Sequence, residues 1–305
     1  MSKDSTPLTI GWIGIGAMGL PMAARVAAAG LQVRTFDSSS KQLEAIEKLH
    51  VPVAPTARDA ARGANVIVLM VASPDQGEEV LFGEEGVVSE LRDDALVVVM
   101  ATVGPDAVTR WGDLLNARGV GLVDAPVSGG VARAEAGELL SMVGGADEAV
   151  HRARHVLDAT CRTVVQVGKH PGDGQRMKLV NQLLCGVHIA VAAEALGLAE
   201  ALGLDAEAAW ETVRHGAAAS FMLDDRGQRM LTGDFHNVRS AINLFVKDMG
   251  LVTEAAHAVT YPTPIASGAH QLYMAARRAG LGNLDDSSII EIARGRSSSP
   301  SSTGV

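Results

Sequence analysis

The first half of the chain alternates short, almost wholly apolar runs with stretches whose apolar residues recur at helical spacing. The runs fall at Thr9–Ile13, Val33–Phe36, Val66–Val71, Leu96–Met100, Gly121–Asp124, Leu139–Val143 and Thr163–Val167. Brief runs of this kind fit strands buried on both faces. Helical patterns separate several of them, for example Lys41–Leu49 and Asp106–Ala117. Strands alternating with helices predict an α/β fold with a mostly parallel, doubly wound sheet. The last two runs follow a Gly/Ala-rich segment and are expected to extend the sheet in another orientation.

The pattern changes at Gly168-Lys169-His170-Pro171-Gly172-Asp173-Gly174, a cluster of turn residues that predicts a boundary. Beyond it strand patterns nearly vanish. Gln175 to Leu202 contains no proline and reads as one long helix, suited to bridging two domains. Further helical segments are expected at Ala206–Arg214, Ser240–Ala258 and Ile265–Ala279. The expected organisation is a sheet domain over 1–170, an all-α domain over 171–294 joined by the long helix, and a disordered Ser-rich tail over 295–305.

Composition narrows the class. The 305 residues are 47% hydrophobic and 20% charged, which is globular and long enough for two domains. Aromatic residues make up only 3%, so the core must be built from Ala, Val, Leu, Ile and Met. The formal net charge is -9 with no Lys/Arg cluster, which argues against nucleic-acid binding. A local basic pocket for a small anion is still compatible with that charge. Two cysteines, Cys161 and Cys185, supply no disulfide framework, so a reducing, cytoplasmic setting is expected. The N-terminal MSKDSTP lacks the apolar region of a secretory signal, and no stretch is expected to reach the uninterrupted apolar length of a membrane span.

Chemistry enters at Gly14-Ile15-Gly16-Ala17-Met18-Gly19, between the first apolar run and an Ala-rich helical pattern. Strand, glycine turn and helix in this order bring the backbone close to a pyrophosphate and aim a helix N-terminus at it. Gly14 is expected to make the tight turn, Gly16 to admit the phosphates and Gly19 to let the helix pack on the strand. Asp37 ends the next apolar run, where a carboxylate accepts hydrogen bonds from the adenosine ribose. Together these predict a Rossmann dinucleotide site.

Two further clusters follow. Asp124-Ala125-Pro126-Val127-Ser128-Gly129-Gly130 places a Ser-Gly-Gly turn after a strand, where backbone N–H groups and one hydroxyl suit a carboxylate. An ordinary glycine turn has the same composition. In Gly172-Asp173-Gly174-Gln175-Arg176-Met177-Lys178-Leu179-Val180-Asn181-Gln182, helical spacing puts Lys178, Asn181 and Gln182 on one face, which continues as Cys185 and Ile189. A lysine buried there would have its pKa lowered toward the range useful for proton transfer. The alternative is a lysine snorkelling at the edge of the core. Lys247-Asp248 reads as an exposed charge pair.

These four motifs, in this order and over nearly the whole chain, resemble the β-hydroxyacid dehydrogenase family, 3-hydroxyisobutyrate dehydrogenase-like. Leu81-Phe82-Gly83 and Val180–Ile189 are similar to the branch that includes L-threonate dehydrogenases. The resemblance implies reversible hydride transfer between NAD and a small hydroxy-carboxylate. L-threonate or a similar C4 sugar acid leads, with 3-hydroxyisobutyrate and tartronate semialdehyde as alternatives. It implies that Lys178 is the general acid or base. Ser128, Gly129 and Gly130 would hold the substrate carboxylate, and Asn181 and Gln182 would orient substrate and lysine. Thr102 would lie against the nicotinamide, Met70 and Val71 would line the cofactor groove, and Lys247 would contact the cofactor or close the cleft. A homodimer or homotetramer is implied, and the large apolar helical surface of the second half agrees.

Three departures mark this chain. Gln182 stands where many members have Asn, Ala101 replaces a Ser before Thr102, and Phe221 in Ser220-Phe221-Met222 replaces a frequent Trp, which suggests a reshaped pocket. Asp37, with no arginine nearby, predicts NAD over NADP, since its charge repels a 2′-phosphate. An imine-reducing relative would usually lack Lys178, and a non-catalytic nucleotide sensor would not need it. His151 and His155, at i and i+4, lack the acid of a zinc motif and read as a solvated helix face. No metal is expected. Cys185, Tyr261 and Tyr273 read as structural.

Overall fold

The computed structural model describes residues 8–295, so all but Gly295 of the expected tail lies outside the described residues. The chain divides into two compact units, Met1–Lys178 and Leu179–Val305.

In the first unit the strands are β1 (Thr9–Ile13), β2 (Gln32–Phe36), β3 (Val66–Leu69), β4 (Leu96–Val99), β5 (Gly121–Asp124), β6 (Val127–Ser128), β7 (Leu139–Gly144) and β8 (Cys161–Gly168). They form one sheet in the order β2-β1-β3-β4-β5-β7-β6, with β8 also paired to β7. Strands β1 to β5 are parallel. β7 runs antiparallel to β5 and β6, so the change of orientation is real, while β8 runs parallel to β7. The helices are α1 (Gly19–Ala28), α2 (Ser40–Glu47), α3 (Ala57–Ala61), α4 (Pro74–Phe82), α5 (Pro105–Asn116), α6 (Gly130–Ala136), α7 (Asp147–Thr160) and the start of α8 (Asp173–Ala201).

The apolar runs read as they do because the central strands are covered on both faces. Ile10, Trp12, Val66, Val68, Leu96 and Val98 pack on one side with Met22 and Val26 of α1 and Val156 and Leu157 of α7. The alternate residues Ile13, Ile67, Leu69, Val97 and Val99 pack on the other, against Ala60 of α3 and Val108 and Trp111 of α5. Period-two alternation thus feeds two cores from one set of strands. The chain leaves β1 for β2 on one side and returns to β3 on the other. The crevice outside the ends of β1 and β3 is therefore the switch point where such sheets bind ligands.

In the second unit α8 is followed by α9 (Ala206–Val213), α10 (Phe221–Thr232), α11 (Ile242–Ala258), α12 (Pro264–Ala276) and α13 (Ile290–Ala293). Ile189, Ala193 and Leu196 of α8 pack with Phe245 and Met249 of α11, Tyr273 of α12 and Ile290. Phe245 and Tyr273 stack with ring centroids 5.2 Å apart, and the Tyr273 hydroxyl donates to the Gly186 carbonyl at 2.9 Å. Arg226 and Arg229 of α10 meet buried Asp286, and Arg229 also meets Asp285.

Helix α8 falls where one long helix is expected, Asp173–Ala201 against Gln175–Leu202. It is long and apolar enough to cross a membrane by length and composition. Its middle, from Leu183 to Ala199, carries Glu194 as its one acidic or basic residue other than His188. Part of that apolar length is spent on the second unit's core, a use that gives a helix the same composition as a span.

Candidate active site

The glycine turn after β1 is built as its spacing predicts. Gly14 has φ 93, and a Cβ there would collide with the Met70 carbonyl at the end of β3. A Cβ on Gly19 would run into the Gly14 carbonyl, so α1 can start this close to the strand only with glycine at that position. Gly16 differs: a Cβ there would meet nothing within 4 Å. That open side, next to the first amides of α1, which no side chain caps, fits a pyrophosphate. Ala17 is exposed and Met18 half-buried beside it.

Asp37 is tied into the same turn. Its carboxylate accepts from the Ile15 N–H at 2.8 Å and from the Ser39 N–H at 2.9 Å. A carboxylate has about four acceptor positions, so two are left for ribose hydroxyls while the two amides fix its direction. Met70 and Val71, half-buried after β3, border the turn, and the Met70 N–H donates to the Ile13 carbonyl at 2.8 Å. These residues fit a dinucleotide.

The second cluster starts from a buried acid. Asp124, at the end of β5, is fully buried and does not face outward. It accepts from the Gly172 and Gln175 N–H groups at 3.0 and 2.8 Å, and from Gln175 Nε2 at 2.8 Å. Burial pushes its carboxyl up to about 7, even though those donors oppose the shift. Ser128 closes β6 and is half-buried. Gly129 (φ 143) and Gly130 (φ 75), the cap and first residue of α6, then turn the backbone through angles open to glycine. Thr102 is half-buried in the loop after β4.

Lys178 is the last residue of the first unit, on the second turn of α8, and only 5% exposed. Asn181 and Gln182 follow one turn later on the same helix. The Asn181 amide donates to Gln182 Oε1 at 2.9 Å, and Gln182 Nε2 donates to Asp248 Oδ2 at 2.5 Å. The other Asp248 oxygen lies 3.1 Å from Lys247 Nζ. Lys247-Asp248 is therefore not an exposed pair. Asp248 is buried on α11, where it gathers Gln182 and Lys247. The extra methylene of Gln182 relative to asparagine supplies reach for that contact. Phe221 opens α10 and is half-exposed, on a helix start capped by Ser220.

Sequence reasoning missed the buried hydrogen bonds of Gln175 and Asp248, and treated Asp124 only as the start of a motif. The available signal was polarity inside otherwise apolar, helical or strand-end positions. His151 and His155 lie exposed on α7. Burial pushes the Cys161 thiol up to about 11.

A fitted dinucleotide turn, with a buried lysine on the helix that leaves the same unit, defines an oxidoreductase that works on a nicotinamide cofactor. The comparisons agree. Residues 9–168 match the NAD binding domain of 6-phosphogluconate dehydrogenase, and residues 172–293 match the NAD-binding domain of NADP-dependent 3-hydroxyisobutyrate dehydrogenase. The chain is 39% identical to L-threonate dehydrogenase of Cupriavidus necator, covering 94% of this chain and 96% of the relative. It is 35% identical to L-threonate dehydrogenase of Pectobacterium atrosepticum, covering 96% of each. A solved 3-hydroxyisobutyrate dehydrogenase from Salmonella typhimurium superposes with TM-score 0.88 at 35% identity, over 93% of this chain and 99% of that one. The chain belongs to the 3-hydroxyisobutyrate dehydrogenase-like β-hydroxyacid dehydrogenase family.

Proposed function

We propose that the protein oxidises the hydroxyl of a small hydroxy-carboxylate, with L-threonate as the substrate and NAD as the cofactor. The observation that carries this reading is the buried Lys178, in a chain whose similar relatives include L-threonate dehydrogenases. A lysine with so little access to water is suited to exchange one proton with a bound substrate rather than with solvent.

The residues divide the work. Ser128 and the backbone N–H groups of Gly129 and Gly130 anchor the substrate carboxylate. Asn181 and Gln182 orient the substrate, Gln182 held by Asp248. Lys178 Nζ takes the hydroxyl proton as the carbinol carbon becomes a carbonyl, and returns it in the reverse direction. Gly14, Gly16, Ala17, Met18, Gly19, Asp37, Met70, Val71 and Thr102 would hold the nicotinamide cofactor, which would supply the hydride acceptor. Lys247 would contact the cofactor or close the cleft. Phe221 shapes the pocket. Asp37, held by two amides, faces the adenosine ribose and disfavours the 2′-phosphate of NADP.

The protein acts in the cytoplasm as a homodimer or homotetramer. In support, Cys161 and Cys185 are not joined in a disulfide, and Val191, Leu198, Leu202, Val259 and Ile265 of the second unit are exposed. A second substrate, 3-hydroxyisobutyrate, is favoured by the likeness to the Salmonella enzyme.

The test is a panel of C3 to C5 hydroxy acids in both enantiomers, with NAD and with NADP, followed by absorbance of the reduced cofactor. L-threonate with NAD is expected to give the highest kcat/KM. Lys178→Ala is expected to lose about a thousandfold or more in kcat while NAD still binds. Near-normal turnover by that variant would remove Lys178 from the mechanism.

A further inference from the structure

We infer that Gln175 and Asp124 form a positioning pair that sets the Lys178 turn of α8 against the Thr102 loop. The inference rests on the acid–base reading of Lys178 and adds residues to it that touch neither substrate nor cofactor.

The geometry is specific. Gln175 is fully buried, and every hydrogen-bonding position of its amide is used. Oε1 accepts from the Val103 and Gly104 N–H groups at 2.9 and 3.1 Å. Nε2 donates to the Ala101 carbonyl at 3.0 Å and to Asp124 Oδ1 at 2.8 Å. One side chain thus pins the loop on both sides of Thr102, through the residue before it and the two after it. The other end of the pair fixes the helix. Asp124 Oδ2 takes the Gly172 and Gln175 amides, two of the N–H groups that a helix start leaves without partners. A Cβ on Gly174 would strike the Asp124 carbonyl, so the helix start is seated directly on the end of β5.

Gln175 and Lys178 are three residues apart and share a helix face, so what fixes Gln175 in depth and rotation also fixes the lysine. The Asp124 carboxyl takes its hydrogen bonds from amides, the Gly172 and Gln175 N–H groups and Gln175 Nε2. A displacement of about 1 Å in a catalytic group costs about 100-fold in rate, which is the size of effect such a pair can control.

Gln175→Met keeps the volume and removes the side chain's four hydrogen bonds. In this variant kcat for L-threonate, or for the best substrate of the panel, is expected to fall about 100-fold, with KM changed less than about threefold. NAD binding, read by protein fluorescence without substrate, is expected to change less than about fivefold. The titration midpoint of Lys178, followed in the cofactor-free protein by NMR of lysine labelled at the ε-carbon, is expected to shift. A folded Gln175→Met enzyme with kcat within about threefold of the unsubstituted one, or with an unmoved Lys178 titration, overturns the inference.

If Gln175→Met does not fold, Gln175→Glu keeps the shape and the acceptor. Its carboxyl must hold a proton to donate to Asp124, and Asp173 adds a further negative charge nearby. Its kcat relative to the unsubstituted enzyme is then expected to drop at least tenfold from about pH 6 to about pH 9 as the shared proton is lost. A flat ratio overturns the inference. Lys178→Ala is measured in parallel. Turnover by Lys178→Ala sinks the acid–base reading. An inactive Lys178→Ala beside a normal Gln175 variant sinks only the positioning pair.

Discussion

Asp124 in the first unit and Asp286 in the second are both fully buried carboxylates, and they are held in different ways. Asp286 sits among cations: its oxygens lie 3.1 Å from Arg226 and 3.2 Å from Arg229, with Asp285 on the same arginine. Asp124 has no cation among its partners, only two backbone amides and the side chain of Gln175. Burial raises both carboxyls, and at Asp286 the two arginines pull against the shift. The cationic arrangement ties α10 to the chain before α13 and does structural work. The dipolar one sits next to the turn that carries Lys178, where a second cation would oppose the lysine's own charge. At Asp124 the burial is offset by amides, and at Asp286 by arginines.

The comparison breaks most visibly at Asp286. Asp286→Ala leaves Arg226 and Arg229 largely buried with a partner removed, and is expected to cost about 3–5 kcal/mol of stability in urea unfolding. The kcat of the protein that remains folded is expected to be unchanged. Asp124→Asn is expected to cost less stability, about 1–3 kcal/mol, because one oxygen can still accept. Here kcat should fall with it, about 30-fold.

The two variants also separate by pH. The Asp124 carboxyl is raised in the folded protein, so its contribution to stability is fully present below the ordinary carboxylate value of 3.8. That contribution is lost as pH rises through about 7. The urea midpoint of the parent should therefore lose ground over that window relative to Asp124→Asn. An identical pH dependence would show that Asp124 stays ionised throughout.

Asp37 sharpens the comparison at lower energy. It too is held by amides, but it is half-exposed and keeps acceptor positions free for a ligand. Asp37→Ser is expected to change stability by less than about 1 kcal/mol and to narrow the NAD over NADP preference in kcat/KM by about tenfold or more. An unchanged preference would move cofactor choice away from Asp37.

The elements that were legible in the sequence are those whose signal is local. β1 and β5 fall on the predicted residues, because an apolar run bounded by turn residues has few other ways to fold. Gly14 and Gly19 of the turn each mark a close backbone approach, while Gly16 marks an open side, and the spacing of the three glycines shows the turn directly. What escaped depends on partners distant in sequence. β6 is two residues long and exists because β7 returns beside it. α10 has only Leu223, Gly227 and Met230 buried, too few to make a stripe. Asp248 looked like a surface acid because its partner, Gln182, is 66 residues away. Gln175 looked like any polar residue of a helix start, and its partners lie 51 to 74 residues back. α8 was legible as one long helix, expected over Gln175–Leu202 and found over Asp173–Ala201, though composition alone does not separate a core helix from a spanning one.

The central claim, a hydroxy-acid dehydrogenase using NAD, is tested most directly by mixing the purified protein with NAD and L-threonate and following NADH. NADH is predicted to accumulate only when both are present, and to stop accumulating in Lys178→Ala. No reduction of NAD or NADP by any C3 to C5 hydroxy acid would contradict the account.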